Sequence, residues 1–149
     1  MNPEKTAFVK QADYSSGIRD SVEQLIELLG GMDTLFAKNS KILIKPNMLT
    51  DRTPDQAVTT HPELVRAIIR IIREHGSNPV VADSPASVVK LETVWEKTGY
   101  RQLCEEENVP LINLEASGSV AFERNGFKFN IAKPVLDADA VINVPKVKT

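Results

Sequence analysis

Short apolar runs, each bounded by polar or charged residues, recur along the chain and predict β-strands. The run 42–44 lies between two lysines and is typical of a strand that is buried on both faces of a parallel sheet. Near residues 119–131, apolar and polar residues alternate on both sides of Asn125-Gly126, a pair suited to a tight turn, and this predicts a β-hairpin. The strands predicted outside the hairpin are 6–10, 41–45, 80–83, 109–115 and 140–144.

Longer segments carry apolar residues at helical spacing and predict α-helices between these strands. Ser16 or Asp20 is suited to cap the first helix, and Thr60 with Glu63 matches a capping box at the start of the second. The helical segments predicted in this way are 18–29, 60–75 and 90–108, the last broken near Gly99, with a turn or short helix at 133–137.

This order of strands and helices predicts the α/β class: a mainly parallel, Rossmann-like sheet flanked by helices, with the hairpin inserted near 119–131. A length of 149 residues, without repeats or a recognisable linker, fits a single domain over 1–149. The polar, proline-containing segment 46–59 is longer than most connections, which favours a functional role for it.

The composition narrows the choice of partners. A net charge of −2 and a pI near 5.7 give no overall attraction for nucleic acid or for an anionic membrane, so neither is expected as a partner. The N-terminus lacks the apolar core of a signal peptide, and we expect a soluble, cytoplasmic protein. Cys104 is the only cysteine, which rules out an internal disulfide and an all-cysteine metal site within this chain.

If the strands are parallel, three polar tips meet at the carboxyl edge of the sheet, where α/β proteins bind their ligands. The long loop 46–59 would return the start of the second helix to the same edge, with its free backbone N–H groups and the positive end of its dipole. The residues that the tips and the helix start would bring to this edge are Lys45, Asn47, Thr59, Thr60, His61, Asp83, Ser84, Asn143, Lys146 and Lys148.

These residue types suit an anionic ligand. Lysines supply positive charge for a phosphate or a carboxylate. Asp83 could hold a metal ion, orient a hydroxyl group or act as a base, and His61 could exchange protons near neutral pH or ligate a metal. Neither a P-loop nor a G-x-G-x-x-G dinucleotide fingerprint is present, so the pattern predicts a site without naming a reaction.

Each residue also has a purely structural interpretation. Lys45 could be solvated, Asp83 could cap backbone N–H groups in a turn, and His61 could be an exposed residue at a helix start. Lys146 and Lys148 could be part of a charged, solvated terminus. Under this interpretation the tips are turns of a scaffold and bind nothing.

Four phrases in the same order resemble the DUF362 family, a domain of unknown function. They are ILIKPNML, TTHPELVRAIIRIIREHG, VVADSP and DADAVINVPKVKT, and together they extend over roughly 41–149. The positions that the resemblance selects are Lys45, Asn47, Thr60, His61, Asp83, Ser84, Asn143, Lys146 and Lys148.

The resemblance also carries expectations about the whole protein. Members of the family are generally longer, and many contain ferredoxin-like cysteine clusters for 4Fe-4S centres. We therefore expect this chain to be the N-terminal part of a longer protein, incomplete at its C-terminus. With one cysteine it can hold no such cluster itself, whereas the resemblance implies that the full-length protein could hold a 4Fe-4S centre.

Three hypotheses about function follow. The first is binding or conversion of an anionic small molecule at the carboxyl edge of the sheet. This hypothesis includes a link to iron-sulfur redox chemistry in the full-length protein. The alternative is a non-catalytic module that binds such a ligand or a redox partner protein, and the third is a scaffold.

No residue is assigned as a metal ligand, and the oligomeric state stays open. In the first hypothesis, Asp83 and His61 are catalytic, and the substrate-binding residues are Lys45, Asn47, Thr59, Thr60, Ser84, Asn143, Lys146 and Lys148.

Overall fold

A four-stranded parallel sheet is the centre of the computed structural model, which describes residues 5–85 and 90–146. A separate antiparallel hairpin precedes the last strand of the sheet. The strands are β1 (Lys41–Pro46), β2 (Asn78–Asp83), β3 (Leu111–Asn113), the hairpin strands β4 (Ser119–Arg124) and β5 (Phe127–Ala132), and β6 (Ala140–Val144). In the sheet they are ordered β3-β2-β1-β6. The predicted α/β class with a mainly parallel sheet and an inserted hairpin is confirmed.

The helices connect these strands. They are α1 (Ile18–Leu29), α2 (Met32–Leu35), α3 (Pro62–Glu74), α4 (Leu91–Lys97), α5 (Tyr100–Glu106) and α6 (Lys133–Leu136). A short 3-10 turn, Pro54–Gln56, interrupts the long loop after β1. None of the helices in the described part of the chain has both the length and the apolar character that crossing a membrane requires.

The two faces of the sheet are covered unequally. Successive side chains of a strand point to opposite faces, and Ile42 and Ile44 of β1 belong to the large core formed with α1, α3 and α5. Leu43, between them, belongs instead to a small cluster on the other face with Ala82 and Leu114. Only partly buried residues of β3, β5, α6 and the segment after α6 pack against that cluster, so most of the apolar burial lies on the helical face.

Ion pairs to one buried carboxylate tie α3 to the end of α5. Glu107 is buried and accepts hydrogen bonds from Arg66 and Arg70, with N–O distances of 3.0 and 2.7 Å, and Arg73 lies 3.4 Å away. The three arginines are spaced along one side of α3 and share one carboxylate. Because a buried charge is costly unless it is paired and hydrogen-bonded, this cluster specifies how α5 lies against α3.

Two local predictions at the N-terminal end are wrong. Residues 6–10 form no strand, and Phe8 is 86% exposed, so this segment buries too little apolar surface to offset the cost of ordering it in the sheet. The place beside β1 is taken by β6. The N-cap of α1 is Gly17 in a left-handed conformation (φ 70°), without a side-chain cap from Ser16 or Asp20.

The start of α3 also differs from the prediction. His61 is the N-cap, and its Nδ1 accepts a hydrogen bond from the Glu63 N–H at 3.3 Å. The side chain of Glu63 pairs with Arg66 at 3.0 Å. The predicted capping box therefore does not form, because the hydroxyl of Thr60 is hydrogen-bonded to Asn47, just after β1, and to Val144 of β6.

Candidate functional site

The ends of three parallel strands lie side by side at one edge of the sheet. Lys45 of β1 is in register with Asn143 of β6, and Pro46 with Val144. The chain passes from β1 to β2 to β3 in one direction and then places β6 on the other side of β1. The boundary between β1 and β6 is thus the topological switch point, where open α/β sheets form a crevice for ligands.

A buried aspartate holds the lysine at this edge. Asp83 is 3% exposed, and its Oδ1 lies 2.6 Å from Lys45 Nζ while its Oδ2 accepts the Met48 N–H at 2.6 Å. The Lys45 ammonium also donates to the Pro46 carbonyl oxygen at 3.3 Å. A lysine has three N–H donors, and its side chain here is 39% exposed, so it is both anchored and accessible.

The side chain of Thr60 links the chain just after β1 to the end of β6. Its Oγ1 accepts the Asn47 N–H at 2.9 Å and donates to the Val144 carbonyl oxygen at 2.7 Å. Its own N–H donates to the Asn47 carbonyl oxygen at 3.0 Å, and the Tyr100 hydroxyl donates to its carbonyl at 3.1 Å. Thr60 is 2% exposed, so in this arrangement it positions the strand ends and does not face a ligand.

His61 is stacked against a residue that the sequence did not single out. The rings of His61 and Tyr14 are parallel within 3°, with centroids 4.2 Å apart, and Lys146 Nζ lies 5.7 Å from the centroid of Tyr14. Burial lowers the pKa of His61, with Glu63 opposing and Lys146 adding to the effect, so the pKa lies below its ordinary value. The lowered pKa favours the neutral form of the His61 ring.

The start of α3 offers fewer free donors than expected. Pro62 has no N–H, the Glu63 N–H donates to His61 Nδ1, and the Leu64 N–H donates to the His61 carbonyl oxygen at 3.2 Å. Side chains near this helix start, and not its backbone, are therefore the groups that can contact an anion.

The remaining predicted residues differ in their exposure. Thr59 is 1% exposed, and neither its Oγ1 nor the buried Oδ1 of Asn47 has a hydrogen-bond partner within the described residues. Ser84 and Asn143 are exposed. Lys148 lies outside the described residues.

A cavity of about 470 Å³ separates the sheet edge from the hairpin. Ser84 lines it together with Ser119, Asn130 and Glu115, and so do Leu114 and Ala132 of the smaller apolar cluster. By alternation along β1, Lys45 belongs to the same face of the sheet as Leu43 of that cluster, whereas His61 and Thr60 lie at the start of α3 on the helical face. The predicted residues therefore flank the edge from both faces.

The sequence offered no signal for Tyr14. Residues 11–17 have no helical or strand period, and an isolated tyrosine in such a segment is common. Only the folded chain shows that this segment crosses the start of α3. The cavity residues Glu115, Ser119 and Asn130 were also missed, because only the fold brings the hairpin and the turn after β3 next to Ser84.

Comparison with known proteins shows the family to which the chain belongs. The family model described as "Domain of unknown function (DUF362)" matches residues 42–149, well over half of the chain. The chain belongs to the DUF362 family. This DUF362 chain is also 32% identical over 145 residues to "Thylakoid-associated protein sll1697" of Synechocystis sp.. That match covers 96% of the chain but only 44% of the relative, so the chain spans less than half of the relative's length. No solved structure shows a significant match.

The residues of this DUF362 chain do not fit an iron-sulfur cluster. A 4Fe-4S centre takes four cysteine thiolates, whereas Cys104 is the single cysteine and is buried. Burial raises the pKa of its thiol to about 12, which disfavours the thiolate that a metal requires. Within residues 5–85 and 90–146, no group of three or more histidine, cysteine, aspartate and glutamate side chains is placed to hold a metal ion.

Proposed function

We propose that the carboxyl edge of the sheet binds a small molecule that bears a phosphate or carboxylate group, with Lys45 as its main cationic contact. The observation that carries the proposal is the position of the Lys45 ammonium at the switch point between β1 and β6, anchored by Asp83 and still partly exposed. A fixed cation loses less entropy on binding than a mobile one, and this preorganisation favours affinity.

The charges at the edge indicate how much negative charge the ligand carries. Asp83 offsets the charge of Lys45, His61 is neutral, and Lys146 adds one positive charge near the stacked rings. Glu115 lines the cavity beyond Ser84 and would repel an anion there. A ligand with one anionic group at Lys45 and an uncharged, hydrogen-bonding portion toward the cavity suits this distribution best.

Binding without conversion is favoured by the state of the two predicted catalytic groups. Both carboxylate oxygens of Asp83 already accept hydrogen bonds, so Asp83 would have to release Lys45 or the Met48 N–H before it could act as a base. His61 uses Nδ1 to cap α3. We therefore place Asp83 in the role of orienting Lys45 and keep conversion of the ligand as the second proposal.

For the whole protein, the proposals are broader. Iron-sulfur redox chemistry and a redox partner are proposed for a longer DUF362 protein only from the family resemblance, and neither would use the single cysteine of this chain. We propose that this chain is located in the cytoplasm. We also propose that it binds no nucleic acid and does not span a membrane. The name of the Synechocystis relative, which is described as thylakoid-associated, supports the alternative that such a protein associates with thylakoids.

Titration of the 149-residue chain with inorganic phosphate and with acetate, followed by amide chemical shifts in NMR, tests the proposal. Lys45→Met should weaken binding roughly 10- to 100-fold, the effect of losing about 1.5–3 kcal/mol for a hydrogen bond to a charged group. Lys41→Met is the matched control, because Lys41 lies at the opposite end of the same strand.

Lys45→Met also leaves Asp83 buried without its cation, so Lys146→Met serves as a second variant that breaks no ion pair recorded within the described residues. It should weaken binding and leave the stability unchanged. Equal affinities for the wild type, Lys45→Met and Lys146→Met would rule out this edge as the binding site. Affinity lost equally in Lys41→Met would do the same.

A further inference from the structure

We infer that His61 serves the proposed site as a neutral hydrogen-bond donor through Nε2–H, and that Tyr14 is the residue that positions it. The inference rests on the proposed function, since it assigns the group that the anionic ligand contacts beside the lysines. It differs from the expectation that His61 exchanges protons with a substrate.

The capping hydrogen bond determines the tautomer. His61 Nδ1 accepts the Glu63 N–H, so Nδ1 carries no proton in this arrangement. A neutral imidazole with an unprotonated Nδ1 has its proton on Nε2. To act as a base at Nε2, the ring would have to move that proton to Nδ1 and release the first turn of α3. As a donor, it needs no change.

Tyr14 keeps the ring in this orientation. The two rings stack at 4.2 Å with an angle of 3° between their planes, which restricts rotation of the imidazole. Lys146 Nζ lies 5.7 Å from the centroid of Tyr14, a distance at which an ammonium is attracted to an aromatic ring. Tyr14 therefore holds the neutral donor and a cation next to each other.

The charged groups around His61 are Glu63 on α3 and Lys146 after β6, with the Tyr14 phenol stacked on the ring. The carboxylate of Glu63, which would favour protonation, is paired with Arg66. Lys146 and the partial burial of the ring disfavour protonation. The surroundings thus support a neutral ring that donates through Nε2–H to an anionic oxygen, as hydrogen bonds to charged acceptors are the stronger ones.

Long-range proton–nitrogen NMR of the 149-residue chain reads the tautomer directly, with His75 as the internal reference. We expect the Nε2–H form of His61 at neutral pH and a shift of its Nε2 signal when inorganic phosphate is added. Tyr14→Ala should raise the pKa of His61 toward its ordinary value and weaken phosphate binding about two- to fivefold, the effect of a lost cation–π contact. Tyr14→Phe should restore both properties.

Phe8→Ala is the matched control, because it removes an exposed aromatic ring from the same N-terminal segment. It should change neither the tautomer nor the affinity. His61→Asn provides a second check, since asparagine caps helices well: it should keep the stability of the chain but weaken phosphate binding.

The outcomes separate this inference from the proposed function. An Nδ1–H tautomer or a protonated ring at neutral pH, with phosphate binding that still depends on Lys45, overturns the inference alone. Unchanged affinity in both Tyr14→Ala and His61→Asn does so as well. Phosphate binding that does not depend on Lys45 overturns the proposed function and, with it, the donor role of His61.

Discussion

Replacing Thr60 with valine tests the linkage between the strand ends at the candidate site. The side chain keeps its shape but loses the hydroxyl that accepts the Asn47 N–H at 2.9 Å and donates to the Val144 carbonyl oxygen at 2.7 Å. A hydrogen bond contributes about 1 kcal/mol net, and a buried group left without a partner costs about 1–3 kcal/mol. With Thr60 2% exposed and Val144 9% exposed, water cannot readily replace the hydroxyl, and we expect the free energy of unfolding to fall by about 2–4 kcal/mol.

Urea denaturation followed by circular dichroism measures this loss. For a chain of this size, a destabilisation of about 2–4 kcal/mol lowers the melting temperature by roughly 5–15 °C. The neighbouring substitution Thr59→Val is the control. Thr59 is 1% exposed and its hydroxyl has no partner within the described residues, so valine there should leave the stability unchanged or raise it.

The comparison between the two adjacent threonines is what makes the test specific. Equal losses for Thr60→Val and Thr59→Val would refute the reasoning, because they would reflect valine in this loop and not the two hydrogen bonds. A loss below about 0.5 kcal/mol for Thr60→Val, typical of a surface substitution, would refute it too.

Two further predictions concern the helical side of the molecule. Burial raises the pKa of Glu107, but hydrogen bonds from Arg70 and Arg66 outweigh this and hold the pKa below its ordinary value. Such a carboxylate stabilises the fold above its unfolded pKa and loses this contribution as the pH falls through its folded pKa. The stability difference between the wild type and Glu107→Gln should therefore shrink on going from about pH 7 to about pH 3, and a constant difference would contradict the assignment. Burial raises the pKa of the Cys104 thiol to about 12. A thiol reagent such as dithionitrobenzoate should therefore label the chain only after urea unfolds it. Rapid labelling of the native chain would contradict the burial of Cys104.

Much of the fold follows from local patterns. The predicted helix 18–29 and strand 140–144 have the same limits as α1 and β6, because apolar spacing and the breaking residues Gly30 and Pro145 are all local to them. The hairpin is equally local. Asn125 and Gly126 adopt φ values of 53° and 79°, which an asparagine–glycine pair accepts more readily than most residues do.

Local patterns failed where the competing interactions come from distant parts of the chain. The Thr60 hydroxyl was expected to cap α3, a contribution of about 1 kcal/mol. In the fold it makes two hydrogen bonds to different strand ends, and His61 takes over the cap. Residues 6–10 have a strand-like pattern, but Phe8 is 86% exposed in the fold, so the segment buries too little apolar surface to offset the cost of ordering it as a strand.

The sequence by itself thus determined the α/β class and the identity of the polar strand tips, because parallel strands necessarily end at one edge. Tertiary structure alone decided which tip residues touch: Lys45 with Asp83, Thr60 between β1 and β6, and Tyr14 against His61. The physical reason is the separation along the chain. Each of these contacts joins residues at least 13 positions apart, and the partner is selected by the packing of the sheet and of α3 and not by any pattern near the residue itself.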